Sequence, residues 1–179
     1  HNILNPANGA PIAVPSQDMV LGLYYMTKGR HSEKDHPMKG EGMTFYGPEE
    51  VIIAYNEKRV DLHSMIKVML PKDIKGGGVF IDTTVGRVLF NQVVPNEFGF
   101  INQLLTKKAL RDIIGELLKV VGTAETANFL DNIKGLGFNM AYAGGLSFNL
   151  GDVIIPDIKE KLIEKANTEV EEVLDNYNM

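Results

Sequence analysis

Thr106-Lys107-Lys108-Ala109-Leu110-Arg111-Asp112-Ile113-Ile114-Gly115-Glu116-Leu117-Leu118 is the stretch whose reading decides the fold. Leu110, Ile113, Ile114, Leu117 and Leu118 recur at helical spacing, which makes one face apolar and leaves Lys107, Lys108 and Arg111 on a basic edge. Thr106 stands where a hydroxyl oxygen can accept a hydrogen bond from the first turn, so the spacing predicts a helix over 107–121. Gly122 ends it. Thr123 then caps a second helix running towards Tyr142, with a weak point at Gly135-Leu136-Gly137 and a break at Gly144-Gly145.

Upstream, Asn5-Pro6-Ala7-Asn8-Gly9-Ala10-Pro11 is turn chemistry. The run from Ser16 to Met26 reads as a buried helix, with Ser16 as its N-cap and Asp18 in the first turn, where a carboxylate favours the helix dipole. Thr27 to Gly42 is polar and is expected to be a surface loop. Pro48 opens a helix from Glu49 to Arg59, with acids first and bases last. Leu62 to Leu70 alternates as a strand does, Gly76-Gly77-Gly78 marks a tight turn, and Val79-Phe80-Ile81 returns. Thr83 or Thr84 caps a short helix from Val85 to Val93, stopped by Pro95. The expected class is therefore α+β, mostly helical with a small antiparallel hairpin.

Downstream, Ser147 to Ile155 is expected to be extended, and Pro156 to start a last, protruding helix. Ile158, Leu162, Ala166, Val170, Val173 and Tyr177 lie along one side of it, and Asp157–Lys161 and Lys165–Glu169 are opposite charges four residues apart. So narrow a stripe resembles half of a helical hairpin, although periodicity alone fits a helix docked on its own core equally well. The domain boundary is placed between 155 and 156. An uncovered stripe should fray or pair with a second copy, antiparallel.

Of the 179 residues, 44% are hydrophobic and 23% charged, the balance of a soluble globular chain. No run approaches the roughly 20 apolar residues of a membrane span, so no membrane partner is expected. The absence of cysteine excludes disulfides and thiolate metal sites and suits the cytoplasm. A net charge of -5 argues against a free-standing DNA binder but leaves room for a local basic patch. The start at His1, without methionine, suggests either processing or a piece cut from something longer.

Chemistry is sparse. His31 and His36 share a loop with Glu33 and Asp35, but their spacing matches no standard metal motif. No Gly-x-Ser-x-Gly elbow occurs. The triple glycine after Lys75 lacks the following helix that a phosphate loop needs. Arg87, in the first turn of its helix, suits either an anion or a structural partner such as a carboxylate. Neither a catalytic constellation nor a metal set is assigned to any residue.

Several stretches, read in order, resemble the beta-prime subunits of bacterial RNA polymerases. They are Asn2 to Gly9, Val14 to Asp18, Leu21 to Thr27, Gly40 to Met43, Asp82-Thr83-Thr84-Val85-Gly86-Arg87, Lys107-Lys108-Ala109, Gly144 to Phe148 and Gly151 to Pro156. The resemblance implies the pore region that lines the secondary channel, through which nucleotides enter and backtracked RNA leaves. It implies a pore domain over 1–155 and, over 156–179, the first arm of a helical hairpin at the channel rim. Gln17 and Asp18 would lie near the active centre, and Lys107 and Lys108 would face the channel. The family's Asn-Ala-Asp-Phe-Asp-Gly-Asp signature, whose aspartates hold magnesium, would lie upstream of His1, so this chain itself would need no cofactor and would be inactive alone. Implied partners are the beta, alpha and omega subunits, nucleoside triphosphates, the RNA 3′ end, DNA in the assembled enzyme, and transcription factors at the rim.

Against the family pattern, the loop from Gly29 to Lys39 is longer and the hairpin around Gly76 shorter. Ala124 and Gly135 stand where some relatives hold a regulatory guanine nucleotide through lysine and tyrosine, although Asp131 is kept; that site is not carried over. The competing reading is an independent interaction domain that binds a partner through its last helix. A small stand-alone enzyme has the least support.

Overall fold

A computed structural model describes residues 3–33 and 37–178. Helix α4 (Lys107–Ala143) begins where Thr106 caps it, the threonine oxygen accepting from the Ala109 amide at 3.2 Å. Straight, its 37 residues would span roughly 55 Å. They do not run straight, because Gly122 takes φ 79° and ψ -177° and breaks the helix into arms over 107–121 and 123–143. Both ends of α4 then meet the C-terminal end of α1 (Asp18–Thr27): Leu105 donates to the Thr27 hydroxyl at 3.0 Å, and Gly144 lies beside the Tyr25 ring. The two arms therefore fold back along one another. The bond across the break is donated by Thr126 to the Gly122 carbonyl at 2.7 Å, not made by a Thr123 cap.

The expected weak point at Gly135-Leu136-Gly137 is no interruption, and the helix passes through it unbroken. Glycine is needed there for a crossing. A Cβ on Gly22 of α1 would overlap the Gly137 carbonyl oxygen, and one on Gly137 would lie 2.7 Å from the Met19 carbonyl oxygen. The two helices thus touch backbone to backbone, and Leu23 and Met26 reach the same core as Leu110, Ile114, Phe129 and Ile133. Phe90 joins that core edge-on to Phe129, with ring centroids 6.3 Å apart. Helix α1 starts at Asp18, one residue later than the Ser16 cap implied. Gln17 occupies its N-cap at φ 50° and ψ -124° without a side-chain bond, and Ser16 contributes only its carbonyl, to Met19 at 3.2 Å.

Strands β2 (Met65–Met69) and β3 (Phe80–Thr84) pair antiparallel, Met65 opposite Thr84 and Met69 opposite Phe80. The expected hairpin is present, but a loop over 70–79 joins its strands instead of a tight glycine turn. A two-residue strand, β1 (Thr44–Phe45), adds to β2 in parallel; it is too short to show a period in sequence. Helix α2 (Pro48–Asn56) has Pro48 in its first turn but ends before Lys58, whose φ of 58° ends helical geometry, so Arg59 is not its last turn. Thr84, not Thr83, caps α3 (Val85–Asn91), accepting from the Arg87 amide at 3.2 Å. Val51, Val60, Ile66, Val68, Val85 and Val88 form a second core between this sheet and its helices.

Residues 147–179 form a compact unit of their own. Where an extended path was expected, Leu150–Asp152 make a single 3₁₀ turn, closed by a capping box between Asn149 and Asp152. Helix α5 (Lys159–Asn178) follows, with the expected Lys165–Glu169 pair at 3.7 Å, and none of its described residues is buried.

Two outcomes follow for stability. Gly137→Val should cost several kcal/mol, on the order of 3, by driving a side chain into the Met19 backbone. Gly135→Ala, with open space at its Cβ, should instead raise stability by roughly 0.5–1 kcal/mol; urea titrations of both variants decide it. The second outcome concerns His63, 6% exposed and edge-on to Tyr25. Its Nδ1 lies 2.8 Å from the Lys28 carbonyl, which can only accept, so the proton sits on Nδ1 and the buried Nε2 has no partner. Burial holds its pKa below the ordinary 6.5. The unfolded chain therefore takes up the proton first as pH falls below about 6.5, and stability declines until the depressed folded pKa is passed. Denaturation between pH 8 and 5 should show this fall, and His63→Gln should flatten it.

Candidate functional site

The residues expected to matter stand at the ends of helices, and the fold fixes which ends meet. Gln17 and Asp18 are exposed at the N-terminus of α1, beside the strand of chain that Gly137 approaches. Lys107 and Lys108 are exposed at the N-terminus of α4, which the Leu105–Thr27 bond ties to the C-terminus of α1. The two pairs therefore flank opposite ends of one ten-residue helix, separated along its axis by roughly 15 Å, and do not form a single cluster. The Lys107 and Lys108 side chains have no carboxylate partner among the ion pairs of the described residues.

Gln17 carries strain. A φ of 50° with ψ of -124° is a conformation that glycine adopts freely and that costs other residues about 1–3 kcal/mol. Its neighbours hold it there: Pro15 is buried on one side, and Leu21 donates to the Gln17 carbonyl at 3.0 Å on the other.

Arg87 is half-buried in the first turn of α3, and its partners are neutral oxygens. Its Nε donates to the Thr27 carbonyl at 3.1 Å and its Nη1 to Asn102 Oδ1 at 3.0 Å. Burial lowers its pKa from the ordinary value. Asn102 also accepts from the Thr83 hydroxyl at 2.9 Å and donates to the Asp82 carbonyl at 2.8 Å. With Thr27, whose hydroxyl donates to Leu23 at 2.8 Å, these residues clamp the end of α1, the end of β3 and the segment leading into α4. Sequence reasoning missed Asn102 and Thr27, because a bridging amide or hydroxyl has no periodic signature.

In the loop after α1, Glu41 accepts from the Ser32 amide at 2.8 Å and lies 3.0 Å from His31 Nδ1. Hydrogen bonding from Ser32 first, and His31 after it, holds the Glu41 carboxyl below its ordinary range. His36 and Asp35, which the loop's metal reading also used, lie outside the described residues. Among the described residues no group of His, Asp and Glu side chains could hold a metal ion. A cleft of about 610 Å³ between Tyr25, Tyr55, His63 and Met140 contains none of the residues expected to act.

The family model described as RNA polymerase Rpb1, domain 3, matches residues 2–153. The DNA-directed RNA polymerase subunit beta' of Bacteroides thetaiotaomicron is 59% identical over the whole of this chain, that of Flavobacterium johnsoniae 57%, and that of Phocaeicola vulgatus 56%. In each the match takes up only 12–13% of the relative's length. A collinear match across every element from the first turn to α5 is a property of the whole fold and not of one motif. The chain belongs to the RNA polymerase Rpb1 domain 3 family and is similar along its full length to one stretch of the bacterial beta' subunits.

Proposed function

We propose that this chain forms the wall of the secondary channel of a bacterial DNA-directed RNA polymerase, over 1–155, and the first arm of a hairpin at the channel rim, over 156–179. The observation that carries the reading is identity of 56–59% with beta' subunits over the entire chain, which brings the relatives' role in DNA-templated transcription to it. In this role the chain works in the cytoplasm as part of a nucleotidyltransferase whose other subunits, beta, alpha and omega, surround it. Nucleoside triphosphates and the RNA 3′ end pass along it, and transcription factors reach α5.

Magnesium belongs to the chemistry of such an enzyme, and the described residues do not fit it, since no carboxylate cluster is present. No step of nucleotide addition is therefore assigned to this chain. Its own contribution is electrostatic and steric. Lys107 and Lys108 place two cations at the positive end of a long helix, where they attract phosphates within about 8 Å at physiological salt and raise their local concentration. Gln17 and Asp18 present an amide and a carboxylate at the far end of α1, next to the active centre in this reading.

Two measurements test the reading in a polymerase whose beta' subunit carries this chain in place of the matching stretch of a relative. Lys107→Ala with Lys108→Ala should raise the nucleotide KM several-fold, or slow cleavage of backtracked RNA, and weaken its salt dependence, at a stability cost under about 0.5 kcal/mol. Unchanged elongation, backtracking and cleavage would remove the channel assignment. Gln17→Gly should leave stability equal or raise it by up to about 1 kcal/mol, because it releases backbone strain, yet slow nucleotide addition. A variant that is more stable and equally fast would show that the strain at Gln17 serves nothing at the active centre.

A further inference from the structure

Among the described residues one buried side-chain nitrogen or oxygen lacks a hydrogen-bond partner, and it is His63 Nε2. Because Nδ1 gives its proton to the Lys28 carbonyl at 2.8 Å, Nε2 can only accept. An acceptor left bare inside a fold is costly, and each such exception calls for a partner. His63 is 6% exposed and lines the cleft of about 610 Å³. That volume falls among those of small-molecule sites, roughly 300–1,000 Å³. The rest of the lining has a definite chemistry. Tyr25 and Tyr55 supply rings and Met38 and Met140 thioethers, all half-buried, a set that favours a flat aromatic guest. Lys39 and Lys58 are exposed on the same cleft, without a carboxylate partner among the ion pairs of the described residues. The one carboxylate in the lining, Asp61, already accepts from the Lys39 amide at 2.8 Å.

We propose that this cleft binds a small heteroaromatic acid whose ring N–H donates to His63 Nε2 and whose acid group meets Lys39 and Lys58. The ring lies among the two tyrosines and the two methionines. Tyr25 stands edge-on to the imidazole, with centroids 4.6 Å apart, and its ring turns aside for the N–H to reach Nε2. A donor is selected at that point, because an acceptor there would set one lone pair against another and leave both unpaired. The sign of the tail is selected too, since a cation would face two lysines.

Indole-3-acetate carries the ring, the N–H and the acid, and it is the probe. Equilibrium dialysis uses a polymerase whose beta' subunit carries this chain, at about pH 8, where imidazole is neutral. One site should appear with a Kd of about 0.1–1 mM. 1-Methylindole-3-acetate, which has lost the N–H, should bind about tenfold more weakly or worse. Tryptamine, which reverses the charge of the tail, should not compete at about 10 mM. Lys39→Gln with Lys58→Gln should weaken indole-3-acetate about fivefold. In His63→Leu the two indoles should bind alike, which assigns the discrimination to this side chain. The comparison of the two indoles leaves the protein intact, so it decides the matter even where that variant fails to fold. No binding up to about 10 mM, equal affinity for the two indoles, competition by tryptamine, or indifference to loss of both lysines would each overturn the proposal.

Discussion

Contact between the backbones of α1 and the second arm of α4 is the constraint on which the rest of the fold depends. It exists because residues 22 and 137 both lack a side chain, and a Cβ at either would drive the helices apart. Close approach brings Leu23 and Met26 into the same buried cluster as Phe129 and Ile133. The same approach leaves the end of α1 free to receive the start of α4, through the Leu105 bond to Thr27. Without the crossing, the two arms that meet at Gly122 would have nothing to close upon.

Around that centre, polar residues do the joining that apolar packing cannot. Thr27 uses its hydroxyl twice and its carbonyl once, and Asn102 links Arg87, Thr83 and Asp82. Three segments distant in sequence are thereby held in one arrangement, with hydrogen-bonding groups satisfied where they leave water. Arg87 is drawn into this network, so its charge serves a junction in the fold.

Residues 147–179 follow a different logic. Helix α5 has no buried described residue and is held by its own backbone and by the Lys165–Glu169 pair. A helix of this length is marginal in water unless its apolar edge is covered. Its pattern is therefore a statement about what it meets, as the core helices' patterns are statements about what they already touch. In the proposed polymerase setting that companion is the rim hairpin's other arm.

Much of the fold was legible from residues alone. Thr106 was identifiable as a cap, the α3 cap as Thr83 or Thr84, Gly122 as a break, and the β2–β3 pairing as antiparallel, because each depends on neighbours only a few positions away. The family was legible as well, since its motifs recur in order along the chain. Short range also explains the misses. A cap at Ser16, a tight turn at Gly76 and a weak point at Gly135-Leu136-Gly137 are all correct local propensities that distant contacts overrule. Period, capping and charge along the chain set the kind and order of its elements. Tertiary structure alone decided that Gly137 serves a crossing, that Asn102 and Thr27 form a junction with Arg87, and that Gln17 and Lys107 stand at opposite ends of one helix. Those outcomes depend on which segments lie side by side, and no periodicity along a single segment records that.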